Sequence, residues 1–321
     1  MKLCKPFVIL LLFCSLSARS QVILPYSINK PGLPADTARL GFSVIEGGIK
    51  PGVFAYCGID EGDIVPDFIL YDTAGIACQL SQLLSDGKPV ILIAASFTCP
   101  QSRKNIGDKL KNLNDRFGDK INIRIIYTID AHPVAPDLCP YTGSVFTTGA
   151  NFRDSILFRQ PVTYADRKAM AGRLIQEFDI TVPVLIGSPS NEWWLTFGPA
   201  PNNTYLISPR GVVYKKYAWL EYIDFNNDIF SLLNDKRAMK TDVQNEVAIE
   251  KDSKTGKTNL LVKDGSHCEL TFRNASGKIV FNGHNEPPVF DLSTVKLSPG
   301  EYSITIKTSG SESYCLRYLR E

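Results

Sequence analysis

The chain has 321 residues, with 35 Lys and Arg against 33 Asp and Glu and a formal net charge of +2. Charges this evenly mixed exclude the clustered basic face of a nucleic-acid binder, and 44% hydrophobic residues exclude a disordered chain. The length suggests two domains more readily than one.

Residues 1–20 read MKLCKPFVILLLFCSLSARS, with Lys2 and Lys5 ahead of an apolar run from Phe7 to Leu16 and small residues Ala18 and Ser20 behind it. This is a signal-peptide pattern, too short for a stable membrane span. Cleavage near Ser20 predicts an exported protein, secreted or held at the cell surface or outer membrane, with the periplasm as the alternative. Of eight cysteines, Cys4 and Cys14 fall in this leader. The other six (Cys57, Cys78, Cys99, Cys139, Cys268 and Cys315) allow 15 pairings, and export permits disulfides. No Cys/His spacing resembles a zinc site.

Residues 21–61 carry Pro and Gly without a strong period and read as an irregular segment. From there to 233 an α/β pattern runs. IVPDFILYDTAG is a strand closed by a turn at Asp72 to Gly75, and CQLSQLLSDGK is a short helical turn ending at Gly87. PVILIAAS is a continuous apolar run, the mark of a strand buried on both faces. In the segment after it, Ile106, Leu110, Leu113 and Phe117 recur at helical spacing and Gly118 caps the end. INIRIIYTI is the next strand, so the unit is a right-handed βαβ with parallel strands. Residues 133–160 form a long insertion, of a length that is functional or mobile. YADRKAMAGRLIQEFD is a helix, TVPVLIG a strand, NTYLISPRGVVYKKY a hairpin turning at SPRG, and DFNNDIFSLLND a closing helix. Residues 234–258 are polar and charged and read as a linker. From 259 to 321 the period changes to two, with turns at NASG and LSPGE, which predicts a small all-β sandwich.

The chemistry gathers at ASFTCPQSR. In a parallel sheet, ligands and reactions collect beyond the carboxyl ends of the strands, and Cys99 sits at such an end. It also opens a helix, with Pro100 suited to the first helical position. Orphan N–H groups and the positive end of the helix dipole favour an anion, so the cysteine's pKa should fall and a nucleophilic thiolate result. Arg103, one turn on, adds to this, and Thr98 and Ser102 flank the thiol. The plain alternative is a small buried apolar residue. Ser102 stands where a C-x-x-C pair would place its second cysteine, so a resolving thiol must come from elsewhere, and Cys139 in the insertion is the choice. The neighbouring strand ends at Asp130 and His132 on the same rim. His132 would pair with the thiolate or shuttle its proton, with Asp130 orienting it; a surface histidine and a solvated acid are the alternatives. Val182–Pro183 opens a strand and is expected to be a cis bond facing Cys99. Trp193 and Trp194 either line a cleft or pack in the core. Two glycosylation sequons, at Asn202 and Asn274, would matter only in a eukaryotic secretory pathway. No P-loop, dinucleotide fingerprint or metalloprotease motif occurs, so no cofactor or metal is expected.

The stretches VPDFILYDTAG, PVILIAASFTCP, IRIIYTIDAHP, QPVTYADRKAMAGRL, VPVLIG and FGPAPNNTYLISPRGVVYKK resemble, in order and spacing, the thioredoxin superfamily, and within it the iodothyronine deiodinase branch in a bacterial, cysteine-containing form. The resemblance implies a thioredoxin-like α/β fold over residues 62–233 and a redox nucleophile at Cys99, where animal deiodinases carry selenocysteine. The family's acid–Ala–His motif falls on Asp130, Ala131 and His132, with Asp in place of Glu. IGSPSNEWW stands where the family has an acidic stretch, and the insertion with Cys139 is unlike the animal enzymes. The last residues, FRNASGKIVFNG to YCLRYLR, resemble a type IX secretion sorting domain, which implies passage through secretion machinery; a generic sandwich module is the alternative. One pairing that uses every thiol joins Cys268 to Cys315 and Cys57 to Cys78, leaving Cys99 and Cys139 as a switchable pair.

The expectation is therefore an exported thiol oxidoreductase, acting on a small molecule or on a thiol or disulfide and recharged by an external thiol. The reaction would reduce a peroxide, a disulfide or a carbon–halogen bond. The first alternative is a surface binding module with an inert cysteine. The second is a pure thiol–disulfide exchanger, weakened by Ser102.

Overall fold

The computed structural model describes residues 22–42, 51–220, 223–241, 246–253, 255–263, 265–285, 289–310 and 312–320. The segment read as a signal peptide, with Cys4 and Cys14, lies outside the described residues. Residues 22–42 form no strand beyond isolated bridges, and a 3-10 turn spans Pro51–Tyr56.

A mixed sheet then assembles from β1 (Ile69–Asp72), β2 (Ala77–Gln79), β3 (Val90–Ala95), β4 (Asn122–Tyr127), β5 (Val184–Ile186), β6 (Thr204–Ile207) and β7 (Val213–Tyr217), in the order β2-β1-β5-β4-β3-β6-β7. β3, β4 and β5 are parallel; β6 runs antiparallel to β3 and closes a hairpin with β7. α1 (Leu80–Leu84), α2 (Pro100–Phe117), α3 (Gly149–Arg153), α4 (Tyr164–Glu177), α5 (Glu192–Thr196) and α6 (Ile223–Asn234) surround it. The apolar run of β3 is buried at every position because both faces are covered. Ile91, Ile93 and Ala95 pack with Ile106, Leu110, Leu113 and Phe117 of α2, with α4 and with α6. Val90, Leu92 and Ala94 pack on the other face with Leu80, Leu84, Phe68 and Trp193. Each of the large α2 side chains contributes about 1.5–3 kcal/mol by leaving water. α2 and α4 lie on one face because two successive right-handed crossovers step the chain the same way across the sheet. A parallel βαβ core, an antiparallel hairpin beside the first strand and a closing helix make this domain thioredoxin-like.

The second domain is all-β: β8 (Val247–Lys251), β9 (Thr258–Val262), β10 (Cys268–Asn274), β11 (Ile279–Asn285), β12 (Val289–Asp291), β13 (Gly300–Thr308) and β14 (Ser313–Arg320). They form sheets of order β11-β10-β13-β14 and β12-β9-β8 around Leu270, Phe272, Ile304, Ile306, Leu260 and Val262. β8 lies inside the span read as linker. Its short alternation, VAIEK, is surrounded by charge and gives little period-two signal. The outer face of the larger sheet is polar and rests on the first domain. Ser303 donates to Pro25 O at 2.5 Å, Ser313 to Gly62 O at 2.6 Å, Lys307 pairs with Asp63 at 2.9 Å, and Arg210 pairs with Glu312 at 2.7 Å.

Candidate functional site

Cys99 is the N-cap of α2, in extended backbone, with Pro100 behind it. Its sulfur accepts the Ser102 N–H at 3.4 Å, one of the donors a helix start leaves free. The residue is nevertheless 1% exposed. Burial pushes the thiol up to about 11, overriding the Ser102 and Gln101 amides and the more distant Arg103 guanidinium, which all act to lower it. The expected thiolate is thus a buried thiol in this conformation, because desolvation outweighs the helix terminus.

Thr98, Asp130 and His132 do converge here, in a different arrangement from the expected relay. The Asp130 carboxylate accepts from Thr98 N at 3.1 Å, Thr98 Oγ1 at 3.0 Å, Ser96 Oγ at 3.3 Å and the Tyr127 hydroxyl at 3.0 Å. It makes no hydrogen bond to the His132 ring. Instead Thr98 Oγ1 accepts the His132 backbone N–H at 3.0 Å, so Asp130 positions the histidine through Thr98 and the backbone. Burial raises the Asp130 pKa, against the pull of these donors. The His132 ring packs edge-on against Phe146, its Nδ1 lacks a hydrogen-bond partner, and burial pulls its pKa down to about 4. At neutral pH the ring is uncharged.

The insertion carries the third group. Cys139 is fully buried and packs in one cluster with Cys99, Phe54, Ile129, Ala131, Tyr141, Trp194 and Ala200, flanked by Trp219. Phe54 touches Tyr141 edge-on at 5.4 Å between ring centroids and Trp219 at 5.6 Å, while Tyr141 leans on Trp194 at 6.2 Å. Arg103, expected to aid the thiolate, turns away to bond Phe97 O, Asn151 Oδ1 and Asp154. Asn151 is the hub: its Nδ2 donates to Thr98 O at 2.8 Å and to His132 O at 3.2 Å. Gln160 clamps Asp130 from the other end of the insertion, through both its backbone N–H and its carbonyl. Asn151, Gln160, Phe54 and Tyr141 had no sequence signal, since each sits far along the chain from the loop it holds.

Other expectations are corrected. Val182–Pro183 is trans, and the cis bond among the described residues is Ala135–Pro136. Pro183 also lies at the amino end of β5, level with Arg124 of β4, so it borders the opposite rim from Cys99. The loop that enters the sheet beside the cysteine strand is the one before β6, where Ala200 joins the cluster and Asn202 donates to Ala94 O. No disulfide joins any of the six described cysteines. Cys268 faces Thr308 and Cys315 faces Thr305 across β13, which puts them two strands apart and on opposite faces. Cys78 is on the edge strand β2, whereas Cys57 abuts Gly198 near the β7 edge, where Asp60 and Glu61 pair with Lys216 and Lys215. A disulfide needs Cα atoms within about 7 Å, and neither cysteine is in one. The two tryptophans divide: Trp193 stacks on Phe197 in the core, and Trp194 lines the cysteine cluster. Asn202 and Asn203 are buried and hydrogen-bonded, unsuited to glycan attachment in the fold, while Asn274 sits in a surface turn.

A scan against protein-family models finds no match, and a search of curated proteins finds none. Among solved structures the chain is similar to the thioredoxin domain of a thiol-disulfide oxidoreductase from Bacteroides vulgatus, with 15% identity over 55% of this chain and 100% of that one and a TM-score of 0.37. It is similar to a thiol:disulfide interchange protein from Bacteroides sp. at 14% identity, over 56% and 93%, with a TM-score of 0.36. A secreted Mycobacterium tuberculosis disulfide oxidoreductase gives 11% identity, over 51% and 96%, with a TM-score of 0.34. The thioredoxin-like description of this domain rests on its own strand order and βαβ core.

Proposed function

We propose that the chain is an exported thiol-dependent oxidoreductase in which Cys99 is the attacking sulfur and Cys139 the resolving one. The observation that carries this is the packing of two free thiols in one buried cluster at the carboxyl rim of a parallel sheet. With a disulfide substrate, the Cys99 thiolate attacks one sulfur, a mixed disulfide forms and the other sulfur leaves as a thiolate. Cys139 then attacks the Cys99 sulfur, closing Cys99–Cys139 and releasing the second substrate thiolate. The two protons lost by the cysteines end on the two departing sulfurs, and two electrons have passed to the substrate. An external thiol reopens the bond by the reverse exchange. In the closed conformation the Cys99 thiol stands at about 11 and the His132 ring at about 4, so the ring takes the thiol proton only in a conformation where the site is open to water and both groups are solvated; Asp130 and Thr98 position it. With a peroxide the thiolate attacks one oxygen, the O–O bond breaks, a sulfenic acid forms and the other oxygen leaves as hydroxide or alkoxide and takes a proton; with a carbon–halogen bond it attacks the halogen, a sulfenyl halide forms and the carbon takes a proton. In both cases Cys139 then attacks the Cys99 sulfur, closing the disulfide and releasing water or halide. The sandwich serves as a sorting or anchoring module. Disulfide mapping after oxidation of the reduced protein tests the reading: a Cys99–Cys139 bond is expected.

One observation favours the second reading, a binding module with an inert cysteine: Cys99 is 1% exposed and its thiol stands at about 11. If oxidation leaves both thiols free, that reading takes the lead.

A further inference from the structure

Three buried polar atoms without a hydrogen-bond partner border the Cys99–Cys139 cluster: Tyr141 Oη, Trp194 Nε1 and His132 Nδ1. Buried polar groups are satisfied in the great majority of cases, so each such atom calls for an account. The cluster's other buried side chains are Phe54, Ile129, Ala131 and Ala200, none of which carries a polar atom, with Ala218 and Trp219 packed against it. The donors the backbone supplies to the sulfur are the Ser102 amide, at 3.4 Å, and the Gln101 amide beside it. A sulfur that turns anionic here meets these amides on the helix side and hydrocarbon and aromatic rings on the cluster side.

Resting on the thiol-redox reading, we propose that Tyr141 is a side-chain donor to the reacting sulfur: its hydroxyl hydrogen-bonds Cys99 when that sulfur is a thiolate, and Trp194 orients the hydroxyl. Tyr141 packs in the same buried cluster as Cys99 and Cys139. Burial holds its own pKa well above the ordinary tyrosine value, so the hydroxyl keeps its proton and remains a donor throughout. The Trp194 indole N–H faces the same oxygen without closing a full hydrogen bond, and it is a donor only. If it donates to the tyrosine oxygen, the tyrosine proton is directed away from the indole. The hydroxyl transfers nothing; it stabilises negative charge on sulfur during attack, and the electrons and protons move as described above.

The test uses the full chain carrying Cys139→Ser, which stops the reaction at the mixed disulfide, with 2-hydroxyethyl disulfide as the probe. The rate of adduct formation at Cys99 is followed by mass spectrometry across pH. In Tyr141→Phe, which keeps the ring packing on Phe54 and Trp194, the rate should fall about tenfold or more, the effect of losing one hydrogen bond to an anion. Its pH midpoint should rise by about one unit, with the melting temperature little changed. Trp194→Phe should shift both in the same direction by less, and it carries the test if Tyr141→Phe does not fold. Equal rates and an unmoved midpoint in a folded variant would overturn the role of Tyr141 while leaving the redox reading intact. No adduct at Cys99 in the parent, with Tyr141 present, would remove the redox reading instead.

Discussion

Cys99 and Cys315 are buried thiols in different domains, and burial pushes them up to about 11 and about 12 respectively. Their surroundings differ. Cys315 sits on a continuous strand, on the polar sheet face, opposite Thr305, whose hydroxyl bonds it, and with Arg317 and Arg273 acting on it, but no second thiol shares its face. Cys99 sits at a helix start with an amide on its sulfur, a second thiol in the same cluster and unpartnered donors around it. Burial alone therefore says little about a cysteine's job. A thiol that can work is one whose surroundings hold groups able to receive its charge and its product bond.

The largest expected effect breaks this comparison outright: Cys99→Ser should abolish oxidant-induced disulfide formation, while Cys315→Ser should leave it unchanged, as read by free-thiol counting after oxidation. Next, Asp130→Ala strips the acceptor from Thr98, Ser96 and Tyr127 and should destabilise the first domain by about 3–4 kcal/mol in urea unfolding. Asp130→Asn, which keeps an oxygen, should cost less. Third, His132 is held neutral by burial, and its pKa moves from 6.5 to about 4. The unfolded chain binds more protons between those values, so stability is fully present above about 6.5 and is lost as pH falls through about 4. The loss is on the order of 2–3 kcal/mol. His132→Gln should flatten that slope of unfolding free energy against pH. The smallest effect lies in the second region. Lys307→Ala removes a half-exposed pair with Asp63 and should cost about 0.5 kcal/mol or less. Arg210→Ala removes a better buried pair with Glu312 and a ring contact with Tyr314, and should cost about 1 kcal/mol.

Much of the fold was legible because its signals are local. The six buried positions of β3, the helical spacing of Ile106, Leu110, Leu113 and Phe117, and the alternation along β13 and β14 each declare their element within a few residues. Cys99 at a strand–helix junction was legible for the same reason. Its burial was not, because the cover comes from Phe54, Tyr141, Trp194 and Trp219, four residues on separate segments that only the tertiary structure joins. The Cys268–Cys315 and Cys57–Cys78 pairings failed because strand order and facing decide which thiols can meet, and spacing along the chain encodes neither. Val182–Pro183 was misplaced because strand β6, and not β5, borders the cysteine strand on its antiparallel side.

Tyr141 and Cys139 are two residues apart on the same insertion, which Asn151 and Arg103 stitch to the Cys99 loop and to α2. In the proposed cycle, the insertion that supplies part of the cover over Cys99 therefore also carries the resolving thiol. A movement of this segment that admitted a substrate would take Cys139 away with it, and a return that brought Cys139 within bonding distance would shut the entrance. Admission and self-oxidation would then be alternating phases of one mechanical cycle, like an airlock whose two doors share a single hinge.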